Sequence, residues 1–312
     1  MNKRKPSDSL IRLRRGSVRY AESPIRNELE RQYQRERKGH EAECDSDFHM
    51  ERLGFLHSKK AIYIPGIRLP TKIGNTYFQI DSLLLTTSFA LIIESKSSSG
   101  QFNYSEYGKN FIHDKFDMLD PIIQSEEQRD QLQQWLNRAD YPIETIVGLS
   151  NSHAKIITDQ TSKWIHERVM HFGHLKSAIP HLANKHQQEI LKRDQLLRLK
   201  KYLLTHHTER HYTFNTFFTP YAQGVLCPKC YTLGMKRTRY TWCCLRCKHV
   251  SRDAHLEDLL DYFCFVHNRI TNRECKHFLG LDSSHTAYNL LRQAPFLEPR
   301  GTSKGRYYVL KK

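Results

Sequence analysis

Phe89-Ala90-Leu91-Ile92-Ile93 is apolar at every position and runs directly into Glu94-Ser95-Lys96. A strand with one solvated face alternates apolar and polar side chains, so an unbroken run reads as a central strand covered on both faces, the mark of a layered α/β domain. Side chains two apart on a strand share a face, which puts Glu94 and Lys96 together. A carboxylate and an ammonium ending such a strand are costly unless paired or bound to something. Asp81 lies in the preceding run, residues 77–85, and a tight connection at residues 86–88 makes the two strands antiparallel neighbours. Pairing about the middle of that turn brings Asp81 near residues 93–95, so two carboxylates converge beside one lysine. Hard carboxylate oxygens suit Mg²⁺ or Mn²⁺, which polarises a phosphoryl group and lowers the pKa of bound water. The lysine can orient that water and stabilise charge on phosphate oxygens.

The surrounding chain supplies the other layers. Residues 39–54 have a helical pattern, and residues 61–64 form a further short strand run. Asp120-Pro121 is a helix start, with Asp as N-cap and Pro at the first helical position. Leu132, Trp135, Leu136 and Ala139 continue that helix to about Ala139, and residues 143–149 make another apolar strand. This order reads as α/β, closing near residue 180.

Asp81, twelve residues, then Glu94-Ser95-Lys96 resembles the D…ExK signature of the PD-(D/E)XK nuclease superfamily. Lys38-Gly39-His40-Glu41-Ala42-Glu43, Gln79-Ile80-Asp81, Ile92-Ile93-Glu94-Ser95-Lys96 with Gly100, and Pro121 with Gln124 and Gln128 resemble the NERD (nuclease-related) domain, in family order over residues 38–180. The resemblance implies a restriction-endonuclease-like core, a mixed sheet flanked by helices, in which a helical glutamate joins the site. That role falls to Glu43, with Glu41 as its competitor, and Gln124 resembles the helix glutamine that assists related sites. Ser97 stands where the family often has asparagine.

Cys227-Pro228-Lys229-Cys230, thirteen residues, then Cys244-Leu245-Arg246-Cys247 has the spacing of a tetrahedral four-thiolate Zn²⁺ site. Cys243 offers an alternative to Cys244. Four closed ligands make the zinc structural, and so small a segment depends on it for folding. Lys236, Arg237, Arg239, Arg246 and Lys248 make this ribbon basic. Cys44, Cys264 and Cys275 lie outside the spacing and show no nucleophile motif, and the histidines between His153 and His211 are too irregular for a metal cluster.

Leu256, Leu259, Leu260 and Phe263 define an amphipathic helix. Thr271-Asn272-Arg273-Glu274 is a capping box and Gly280 a helix stop, while Asp282-Ser283-Ser284 starts a helix carrying Ala287, Leu290, Leu291 and Ala294. Phe296-Leu297 and Tyr307-Tyr308-Val309-Leu310 can pair across a basic glycine-containing turn. These parts resemble a winged helix-turn-helix. The resemblance implies DNA contacts from His285, Thr286, Tyr288, Asn289 and Arg292 on the second helix and from Lys304 and Arg306 on the wing.

Charge agrees with this division. Residues 1–40 carry 12 basic and 5 acidic side chains, residues 41–160 carry 11 and 17, and residues 161–312 carry 26 and 11, for a net +16. A basic total points to nucleic acid. No apolar run is long enough for a membrane span, and the N-terminus lacks the apolar stretch of a secretory signal, so the expectation is a cytoplasmic protein without a membrane partner. The expected organisation is a basic arm or exposed helix at 1–37, a NERD domain at 38–180, a helical linker at 181–222, a zinc ribbon at 223–252 and a small α+β winged-helix-like domain at 253–312. The expected function is metal-dependent hydrolysis of DNA; the alternative is a non-catalytic nucleic-acid-binding protein that keeps the nuclease fold for docking. Oligomeric state is not legible.

Overall fold

The computed structural model describes residues 4–54, 60–73, 75–105, 110–114, 118–158, 164–210, 212, 218, 220–302 and 305–311. Its helices and strands begin α1 (Asp8–Arg19), α2 (Arg26–Glu51), β1 (Ala61–Pro70), β2 (Tyr77–Thr86), β3 (Ala90–Lys96), β4 (Gly100–Ser105), β5 (Asn110–His113) and α3 (Pro121–Leu136). There follow β6 (Ile143–Leu149), β7 (Ala154–Ile157), α4 (Ile165–Arg168), β8 (Val169–His171), α5 (Leu175–Lys185) and α6 (Arg193–Thr205). Last come β9 (Lys236–Arg237), β10 (Trp242–Cys243), β11 (Val250–Ser251), α7 (Ala254–Phe265), β12 (Ile270–Thr271), α8 (Asn272–Phe278), α9 (Ser284–Gln293), β13 (Leu297–Arg300) and β14 (Tyr307–Leu310). The chain forms two compact units, Met1–Lys5 with Arg37–Glu209 and Pro6–Glu36 with Arg210–Lys312.

The first unit is built on a five-stranded mixed sheet of order β1-β2-β3-β6-β8. The strands β1, β2 and β3 pair antiparallel, and β3, β6 and β8 run parallel. A tight turn joins β2 to β3: Thr86 Oγ1 accepts from the N–H groups of Ser88 (3.1 Å) and Phe89 (2.8 Å). It sets the register Leu85↔Ala90 through Ser82↔Ile93. Ala90 to Ile93 are fully buried in mid-sheet. On one face Leu83 and Ile92 pack with Leu132 and Trp135 of α3 and Leu196 and Leu203 of α6; on the other, Leu91 and Ile93 pack with Met50, Leu175 and Ile179. A second sheet, β5-β4-β7, completes the unit.

Three boundaries differ from the sequence reading. The helix begun by Asp120, whose carboxylate accepts from the N–H groups of Ile122 (2.8 Å) and Ile123 (3.3 Å), ends at Leu136, not Ala139. Asn137 terminates it in the left-handed conformation, φ 49°, which asparagine tolerates better than most residues. The segment expected as a linker contains α6, whose Leu196 and Leu203 are fully buried in the first unit's core. The N-terminal arm, expected to be solvated, forms α1 and leads into α2, which continues unbroken past residue 38.

In the second unit Arg12, Arg15 and Arg19 of α1 are buried. Arg15 pairs with Asp258 (2.9 Å) and Asp261 (2.6 Å), Arg19 with Asp258, and Arg12 with Asp261 and Glu257. Three of the arm's arginines are therefore neutralised inside the fold. Cys227 and Cys230 lie in a turn before the three-stranded sheet β11-β10-β9, and Cys244 and Cys247 in the turn between β10 and β11; α7, α8 and α9 precede the β13–β14 hairpin, to which β12 adds through β14. Thr271 and Glu274 form the expected reciprocal cap of α8, and Ser283 caps α9. Val225, Met235 and Trp242 share one core with Leu259, Tyr262, Phe278 and Leu291, so the boundary expected at 252/253 cuts through continuous packing.

Candidate functional site

The β2–β3 register carries Asp81 to the end of β3. Its Oδ2 accepts a hydrogen bond from the Ser95 N–H at 3.0 Å, and among the described residues no donor reaches its other oxygen. Glu94 is 2% exposed and doubly held: Oε1 accepts from Lys96 Nζ at 2.7 Å and Oε2 from Gln128 Nε2 at 2.8 Å. Lys96 Nζ also donates to Gln124 Oε1 at 2.9 Å. An ammonium has three N–H donors, so one remains for a ligand. Gln124 and Gln128 are one turn apart on α3 and both face the end of β3.

Glu43, on α2, joins these carboxylates electrostatically, and Glu41 is exposed beside Arg37. Burial, then the charges of Glu94 and Glu43, push the Asp81 carboxyl well above its usual range. Burial likewise raises Glu43, with Asp47 and Glu94 adding to it against the opposing charge of Arg4. Three crowded carboxylates of hard oxygen suit a divalent cation, whose charge would relieve the repulsion. Among the described residues they do not bring three ligand oxygens within 4.8 Å of one another.

Sequence reasoning did not include Gln128 among the site residues, although it forms part of the quoted motif. It also missed Arg4 altogether. Arg4 donates to Asp47 through Nε (2.9 Å) and Nη2 (2.8 Å), to Glu43 Oε2 through Nη1 (3.0 Å), and to the Asp81 carbonyl through Nη2 (2.8 Å). No motif links residues 39 and 77 positions apart. Cys44 shows a further unexpected pairing, its Sγ lying 3.5 Å from His40 Nε2 one helical turn away.

In the second unit Cys227, Cys230, Cys244 and Cys247 place four sulfurs within 4.8 Å of one another, the one such group of ligand atoms among the described residues. Cys243 lies outside it. Cys227 and Cys247 are 3.6 Å apart, as are Cys230 and Cys244. A disulfide would need about 2.05 Å, whereas four sulfurs about 2.3 Å from a shared Zn²⁺ lie about 3.8 Å from one another. The Thr232 hydroxyl and N–H pull Cys230 down to about 6, and the N–H groups of Cys247 and Arg246 lower Cys244. Burial pushes Cys227 up to about 12, a thiol that metal binding would deprotonate. The cluster can therefore hold a structural zinc.

On α9, Ala287, Leu290 and Leu291 are buried, and His285, Tyr288, Asn289 and Arg292 lie on the opposite side, with Thr286 on its flank. Arg306 is exposed before β14; Lys304 lies outside the described residues. No described helix is long and apolar enough to cross a membrane. No curated protein and no solved structure matches the chain. Residues 38–150, a narrower span than the sequence motifs suggested and one that contains Glu43, Asp81, Glu94, Lys96, Gln124 and Gln128, match the NERD family model and are a nuclease-related domain.

Proposed function

We propose that the protein is a metal-dependent nuclease with a restriction-endonuclease-like core that hydrolyses phosphodiester bonds in DNA. The reading rests on the convergence of Asp81, Glu94 and Lys96 at the end of one buried strand, within the nuclease-related domain. Asp81 and Glu94 would hold Mg²⁺ or Mn²⁺, which when bound supplies electrophilic polarisation of the phosphoryl group. Lys96, fixed by Glu94 and Gln124, turns its remaining N–H toward the attacking water or a phosphate oxygen. Gln128 keeps Glu94 from swinging out of line, and Glu43 adds negative charge behind Asp81.

The second unit would bind nucleic acid. Its zinc ribbon carries exposed Lys236, Arg239 and Arg246. The helix order and hairpin of residues 254–310 are consistent with a winged helix whose α9 presents His285, Thr286, Tyr288, Asn289 and Arg292 to the major groove, with Lys304 and Arg306 on phosphates.

Cleavage of linear, nicked and single-stranded DNA in Mg²⁺ tests the reading. Glu94→Ala and Lys96→Ala should each lower the rate by about 100-fold or more, the scale seen when a preorganised electrostatic group is removed. Equal inertness of wild type and both variants, with salt-sensitive DNA binding retained, would instead support a non-catalytic docking fold.

A further inference from the structure

The pairing of β1 with β2 runs from Ala61↔Thr86 to Pro70↔Tyr77 but lapses at one place, Gly66 opposite Asp81. Gly66 has φ +70°, a conformation that favours glycine, and its backbone departs there from regular strand geometry. The Asp81 carbonyl, released from the ladder, accepts from Arg4 Nη2. Gly66 also provides the space: a Cβ at this position would stand 3.0 Å from Arg4 Nη1. The Arg4 side chain is 8% exposed and its guanidinium is engaged on all sides. Asp47 takes the two-pronged edge, Glu43 the adjacent nitrogen, and the Ser82 hydroxyl lies 3.4 Å from Nη2. Behind it, Tyr63 donates to Asp47 (2.6 Å) and its hydroxyl is 2.7 Å from Ser82, so the cradle is itself held by hydrogen bonds.

We propose that Arg4 is a positioning residue of the candidate nuclease site, filling a gap in the sheet beside Asp81 and tying the Asp81 main chain to Glu43 of α2. This rests on the nuclease reading above for its catalytic consequence, but not for its structural one. Arg4 is too buried to meet substrate, and it acts through the two carboxylates. A buried guanidinium can bridge three acceptors at fixed angles, whereas a lysine ammonium cannot reproduce the planar fork. The N-terminal segment is thereby part of the site and not a free arm.

The test uses the full chain and four variants: Arg4→Ala, Arg4→Lys, Gly66→Ala and Glu94→Ala. Gly66→Ala crowds the guanidinium, its Cβ standing 3.0 Å from Arg4 Nη1, and strains the strand at φ +70°, so it perturbs the cradle while keeping the Arg4 side chain. Arg4→Ala and Gly66→Ala should lower kcat by about 100-fold while KM for DNA changes less than roughly two-fold, since small misplacements of reacting groups cost on this scale. Arg4→Lys should recover little of the loss. Independently of activity, the Ser95 amide, which donates to Asp81, should exchange with solvent about ten-fold faster in Arg4→Ala while the Leu91 amide of the same strand is unchanged. Unchanged kcat and unchanged Ser95 exchange in Arg4→Ala would overturn the proposal, as would full activity in Arg4→Lys or an effect on KM alone. If wild type and Glu94→Ala are equally inert, the nuclease reading fails, and Ser95 exchange still decides whether Arg4 positions Asp81.

Discussion

Replacing Asp258 with alanine removes the centre of the charge network that makes α1 part of the second unit. Asp258 is 0% exposed; it pairs with Arg15 and Arg19 and accepts from the Leu226 N–H at 3.1 Å. Its loss leaves two buried guanidinium groups short of a partner, a defect that typically costs about 3–5 kcal/mol. Arg15 keeps Asp261, and Arg19 keeps the carbonyls of Ala222 (2.7 Å) and Gly224 (3.2 Å), which argues for the lower end, about 3 kcal/mol. That corresponds to an increase of about 100-fold in the opening constant. The exposed pair Arg198–Asp194, with side chains 72% and 62% accessible, is the control; Asp194→Ala should cost less than about 0.5 kcal/mol. Native-state hydrogen exchange of the full chain reads both, through peptides from α1 and α7 for Asp258→Ala and from α6 for Asp194→Ala. Faster exchange in both helices of Asp258→Ala is expected. A change below about 1 kcal/mol, within the range of an ordinary surface substitution, would refute the view that these buried ion pairs hold α1 in place.

Two further outcomes follow from the second unit. His255 accepts from Trp242 Nε1 at 3.2 Å, and burial, aided by Arg237, lowers it to about 4. Above pH 6.5 the neutral imidazole contributes fully, but as pH falls the unfolded chain gains a proton that the folded one refuses until about pH 4, so up to about 3 kcal/mol of stability is lost across this window. His255→Gln should flatten that part of the stability–pH curve, and an unchanged slope would contradict the assignment. Purified protein should contain about one zinc per chain. Cys244→Ser should lose it and destabilise the ribbon while Cys243→Ser keeps it; the reverse pattern would move the ligand to Cys243.

Local signals were legible in the sequence. Asp120-Pro121, Thr271…Glu274 and Ser283 announced helix starts because a cap links residues only two or three apart. Ile92-Ile93-Glu94-Ser95-Lys96 announced a buried strand with a charged end, and the short turn at residues 86–88 was enough to place Asp81 beside it. Gln124 and Gln128 lie one helical turn apart, yet only the packing of α3 on the sheet separates their partners, Lys96 for one and Glu94 for the other. The burial of α6 was hidden because Leu196 and Leu203 sit in a polar, charged helix that looks like a linker until a sheet covers one stripe.

By itself the sequence determined the features set by short-range geometry: the strand that carries Glu94 and Lys96, the cysteine spacing, and the caps of the C-terminal helices. Tertiary structure decided which distant charges meet. Arginines in the first twenty residues read as a solvated arm, because composition cannot show that Arg15 and Arg19 find Asp258 or that Arg4 finds a gap opposite Gly66. Burying a guanidinium is favourable only where several acceptors converge, and such convergence is a property of the folded chain.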